Sequence, residues 1–165
     1  DRYGQMAAQG RIDMRAVAKM ISHPFFKRKP PKSTGRELFN EHFIPRDLLK
    51  SRAAGWMATL TFFTAYSIYV SYRNFIPHKL NKVIVSGGGA LNKTLMDHFS
   101  KLLSPVPVHS IEEFGIPAQA KEPIAFAFFA LRAIEGKTNH LPETTNAKRE
   151  AILGKITQGQ SYANR

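Results

Sequence analysis

Hydrophobic positions along this chain follow three patterns in turn. Over Arg11 to Ile21, apolar residues fall at Met14, Val17, Ala18 and Ile21. That spacing predicts one face of a helix, stopped by Pro24. From Ala53 to Tyr72 no residue carries a charge, and Leu60, Phe63, Tyr66 or Ser67, and Val70 form a helical stripe. Val83, Ile84 and Val85 then make a short β-branched run, which predicts a strand over Lys82 to Ser86 buried on both faces. Leu95, Met96, Phe99, Leu102 and Leu103 predict a helix over Asn92 to Leu103, ended by Pro105, before a second strand from Val106 to His109. Ala118 to Glu135 reads as another helix. Its middle, Ile124 to Leu131, is apolar all round and predicts a core helix, with Gly136 as its stop. The polar residues beyond, 137–165, read as a docked tail.

The uncharged stretch Ala53 to Tyr72 is long enough to span a bilayer. Its threonines, serines and three tyrosines argue against insertion and for a buried or partner-covered helix, so no membrane partner is expected. Thr34 and Glu37 have capping-box spacing, which predicts a helix starting there.

Charge is uneven. Lys and Arg number 24 against 12 Asp and Glu, and residues 1–52 alone carry 12 basic and 5 acidic groups. A nucleic-acid surface is one reading. A solvated basic face is the plainer one, because no nucleic-acid signature accompanies the charge. The chain has no cysteine and no charged-then-apolar leader, which fits a reducing, cytoplasmic setting. The six histidines lack metal-ligand spacing, so no protein-only metal site is expected.

Gly87, Gly88 and Gly89 stand between a predicted strand and a predicted helix. Glycine there lets a ligand approach bare backbone, and the free N–H groups of a helix start suit phosphate. Asn92 and Lys93 add donors. The spacing is neither of the familiar phosphate-loop patterns, so by spacing alone a tight structural turn is the plainer reading and ligand binding the other. Lys32, Ser33, Thr34 and Gly35 carry the same two readings: a phosphate-facing helix start, or a capped helix with exposed charge. Glu122 is either a buried acid in a site or an ordinary first-turn helix acid.

Together these motifs resemble the C-terminal portion of the anhydro-N-acetylmuramic acid kinase family, to which levoglucosan kinase is related. Pro-Lys-Ser-Thr-Gly-Arg-Glu at 31–37, Ser-Gly-Gly-Gly-Ala-x-Asn at 86–92, Ala-Lys-Glu-x-x-Ala-Phe-Ala at 120–127 and Leu-Pro-x-x-Thr at 141–145 occur in order, and Asp1, Gly4, Ala7, Ala8 and Gly10 also match. The resemblance implies an α/β fold: the C-terminal lobe of a hexokinase/actin/Hsp70-like (ribonuclease H-like) two-domain kinase, residues 1–165 forming that single lobe. It implies ATP with Mg2+ carried by the nucleotide. An anhydro sugar, anhydro-N-acetylmuramic acid or levoglucosan, is opened and phosphorylated on O6. By resemblance, Gly87, Gly88 and Gly89 hold the adenosine side, and Asn92 caps the next helix or touches the ligand. Lys32, Ser33, Thr34 and Gly35 lie near the nucleotide, and Glu122 lies near the sugar.

The family's aspartate base belongs to an Asp-Thr-Gly-Pro-Gly-Asn stretch that this sequence does not contain. The expectation is therefore a half-enzyme, inactive alone, with room for a homodimer. Leu91 stands where the family usually has arginine, Gln119 where it favours an acid, and Asn146 where glycine is usual. A member that binds nucleotide or protein without catalysis is the alternative, and a basic nucleic-acid module a more distant one.

Overall fold

A computed structural model of the chain describes residues 1–157. Helix α1 is Gln5–Ala8, and the Asp1 carboxylate accepts the N–H groups of Met6 and Ala7, both at 2.9 Å. Helix α2 is Met14–Ile21. Asp13 caps it by accepting from Arg15 and Ala16. The cap sets the start of the helix at Met14, the first position of its apolar pattern. Pro24 opens a further single turn, α3, Pro24–Lys27. Helix α4 is Arg46–Leu49, and α5 is Ala53–Phe75.

The helix predicted at Thr34 does not form. Glu37 Oε1 accepts the Gly35 N–H at 2.6 Å, so it closes a local turn and leaves the Thr34 N–H alone. The next regular element is a 3-10 turn at Glu41–Phe43, capped by Asn40.

Helix α5 is the axis of the unit Asp1–Gln119. Two apolar clusters use different sides of it. Phe63 packs with Val17, Met20 and Phe26, and the Phe26 and Phe63 rings meet edge to face with centroids 5.6 Å apart. Ala65 packs with Val83, Phe99 and Leu103. Burying one such aromatic contributes about 1.5–3 kcal/mol. The polar residues of α5 are accommodated too. Thr59 is fully buried, and its hydroxyl donates to the Gly55 carbonyl while accepting the Asp13 N–H. No helix among the described residues is long and apolar enough to cross a membrane.

Strand β1, Val83–Val85, is followed by helix α6, Lys93–Leu103, and strand β2, Val108–Ser110. The strands pair in parallel, Val83 with Val108 and Val85 with Ser110. Both-face burial is not realised. Val83 is buried, but Ile84 on the opposite face is 47% exposed, because the sheet has only these two strands among the described residues. The result is a mixed α/β fold with a small parallel sheet.

A second unit begins at Ala120. Its main element is α7, Lys121–Ile134, and α8, Pro142–Thr145, is a single turn. Gly136 follows α7 at φ +67° and Asn146 follows α8 at φ +57°, both left-handed. Asn139 is buried. Its amide donates to the carbonyls of Phe129 and Leu153, and its oxygen accepts the Leu153 N–H. The expectation of a core helix is corrected here: no residue of α7 is buried, and Phe126 and Ile134 are 70% and 74% exposed. An all-round apolar run states that a helix can be covered on every side. It does not supply the cover.

Candidate functional site

The glycine turn leaves the C-terminal end of β1, beside the end of β2, which is where open parallel sheets place ligands. Gly87 has φ +82° and ψ −176°, a conformation that needs glycine. Its N–H donates to the Ala118 carbonyl at 2.6 Å. Residues Gly88–Leu91 form a 3-10 turn, closed by Ala90 N–H to the Gly87 carbonyl and Asn92 N–H to the Gly89 carbonyl. Among the described residues, no acceptor takes the N–H of Gly88 or Gly89.

Gly88 is exposed and outside the left-handed region, and a Cβ there would meet nothing within 4 Å. Neither conformation nor packing requires glycine at this position. What glycine does give it is an uncovered backbone facing open space.

Asn92 caps α6, its Oδ1 accepting the Leu95 N–H at 3.0 Å. The chain's first residues brace the same point. Lys93 N–H donates to the Tyr3 carbonyl at 3.1 Å and the Thr94 hydroxyl to the Gly4 carbonyl at 2.7 Å. The approach is so close that a Cβ on Gly4 would collide with Asn92 Oδ1.

A 3-10 turn, Ile111–Phe114, follows β2, and a capping box fixes its start. The Ser110 hydroxyl accepts the Glu112 N–H, and the Glu113 carboxylate accepts the Ser110 N–H at 2.8 Å. Glu113 also lies 2.7 Å from His109 Nδ1. The His109 bond, then the Ser110 N–H, hold the Glu113 carboxyl below its ordinary range. Sequence reading missed this segment, although Ser110 and Glu113 show the same spacing as Thr34 and Glu37.

The other candidate residues have settings of their own. Lys32 Nζ donates to the carbonyls of Phe25 and Phe26 at 3.0 and 3.4 Å and sits over the rings of Phe25 and Phe75. Desolvation, then the Arg28 charge, lowers its pKa. Ser33 and Thr34 are exposed, and the Gly35 N–H is taken by Glu37. Glu122 is exposed in the first turn of α7. Among the described residues, no group of three or more His, Asp or Glu could hold a metal ion.

The family model for anhydro-N-acetylmuramic acid kinase matches residues 1–159. The chain belongs to the anhydro-N-acetylmuramic acid kinase family. Proteins named anhydro-N-acetylmuramic acid kinase are similar along nearly the whole chain. The protein of Caldanaerobacter subterraneus subsp. tengcongensis is 39% identical over 95% of this chain and 41% of its own length. That of a Cyanothece species is 40% identical over 94% of this chain and 42% of its own. That of Clostridioides difficile is 36% identical over 95% and 42%. The chain therefore spans about two fifths of the length of these curated kinase relatives.

Proposed function

We propose that this chain is the nucleotide-side, C-terminal lobe of an ATP-dependent 1,6-anhydro-sugar kinase with the hexokinase-like two-domain fold. The observation that carries the reading is Gly88. It is free of any internal demand for glycine and adjoins unpaired N–H groups at the end of a parallel strand, within a chain of this kinase family. The turn offers a flat backbone surface to an adenosine group, and the Gly88 and Gly89 N–H groups offer donors to its polar atoms.

In the proposed reaction, water adds to the anomeric carbon as its bond to O6 breaks. O6 then takes the γ-phosphoryl group of ATP, giving a sugar 6-phosphate and ADP. ATP with Mg2+ supplies the phosphoryl group and the charge neutralisation. Glu122 is assigned to the sugar side, where a carboxylate can orient ring hydroxyls. Lys32 is assigned to the nucleotide side. Two of its three N–H donors go to carbonyls, and no acceptor among the described residues takes the third. Positioning and charge stabilisation are what such a lobe contributes. The base that activates water belongs to the Asp-Thr-Gly-Pro-Gly-Asn stretch absent from this sequence, so these residues alone bind without turning over.

Calorimetric titration of this chain with ADP, with and without Mg2+, tests the reading. Saturable binding that disappears in Gly88→Val supports it. Equal binding by parent and variant moves the nucleotide away from the turn.

A further inference from the structure

We propose that the segment Ile111–Ala118 is a strap that orients the glycine turn toward its ligand, with Glu112 as its positioning residue; this rests on the nucleotide reading of the turn. The paired strand ends, Val85 and Ser110, lead into two excursions that meet again. From β1 the chain reaches Gly87, whose N–H donates to the Ala118 carbonyl at 2.6 Å. From β2 it passes through the capped turn to Glu112, whose Oε1 accepts the Ala118 N–H at 3.3 Å. Ala118 is thus held on both sides of its own residue, and it is only 1% exposed.

The consequence concerns direction. Gly87 has a positive φ of +82°, and a Cβ there would meet nothing within 4 Å, so no side-chain packing fixes its rotation. The bond to Ala118 points the Gly87 N–H away from solvent and leaves Gly88 and Gly89 as the donors with no internal partner among the described residues. The strap thereby selects which N–H groups face the ligand. Among the described residues, Glu112 makes no hydrogen bond to the glycine turn. It acts by fixing the peptide of Ala118.

Two variants and two readouts test this. Glu112→Ala removes the acceptor, whereas Glu112→Gln keeps a side-chain carbonyl in its place. Removing one charge-assisted hydrogen bond predicts ADP binding weaker by about threefold to tenfold in Glu112→Ala, with recovery in Glu112→Gln. Amide exchange at Gly87 and Ala118 should quicken in Glu112→Ala, while exchange at Phe99 in the core stays unchanged. Unchanged exchange at Gly87 together with unchanged ADP affinity overturns the strap. Should the parent chain fail to bind ADP, the nucleotide reading falls. Exchange at Gly87 then decides the strap alone: faster supports it, unchanged overturns it. If Glu112→Ala loses its cooperative melt, Ser110→Ala, which only uncaps the strap's first turn, takes its place with the same outcomes.

Discussion

The carbonyl of Ala118 accepts the N–H of Gly87 at 2.6 Å, so the N–H of the first glycine is turned inward, whereas that of the second has no acceptor among the described residues. These neighbours should answer differently to substitution.

Gly87→Ala places a Cβ at φ +82°, where left-handed geometry costs about 1 kcal/mol or more. Gly88→Ala carries no such strain. Chemical denaturation should show Gly87→Ala less stable and Gly88→Ala close to the parent. ADP titration should show Gly88→Ala and, more strongly, Gly88→Val to be weaker binders.

Gly10 tests the packing of the chain start against α5. A Cβ there would collide with the Ala54 carbonyl and lie 2.8 Å from Ala58 Cβ. Gly10→Ala should destabilise the fold by about 1–3 kcal/mol, the usual range for overpacking, measured by urea unfolding. An unchanged midpoint would mean that the chain at Gly10 and α5 are not so closely apposed.

Thr59 links α5 to the start of α2. In Thr59→Val, the Asp13 N–H loses its acceptor, at 3.0 Å in the parent, within a buried setting. The expected loss is about 1–3 kcal/mol. Thr59→Ser retains the hydroxyl and should recover most of that loss.

His98 makes stability depend on pH. Its ring meets Phe62 edge to face, with centroids 5.2 Å apart. Desolvation, then the Lys101 charge, lower its pKa below the ordinary 6.5, with Asp97 opposing. The unfolded chain therefore binds this proton at a higher pH than the folded chain does. Stability falls as pH drops below about 6.5 and levels off beneath the folded pKa. Urea midpoints at about pH 7.5 and about pH 5.5 should differ more in the parent than in His98→Phe. Equal differences would assign the effect to other groups.

Much of the site's local framework can be read from the residues themselves. Val83–Val85 declares a strand and Gly87–Gly89 a turn, because each depends on backbone preferences that reach only a few residues. The ordered motifs likewise carry the family. Only the tertiary structure decides which of two equal signals is used. Thr34 with Glu37 and Ser110 with Glu113 share one spacing. The first yields a local turn, and the second a capping box fixed beside β2. Glu113 has His109 as a second partner to hold it in place; Glu37 turns to the nearest N–H, that of Gly35. The partner of Gly87 is equally invisible in sequence. An alanine carbonyl has no signature, and its position follows from the whole path of the chain through β2 and the strap. Burial, too, is decided by neighbours: apolar periodicity offers a face, and only packed elements cover it, as they do for Phe63 and do not for Phe126.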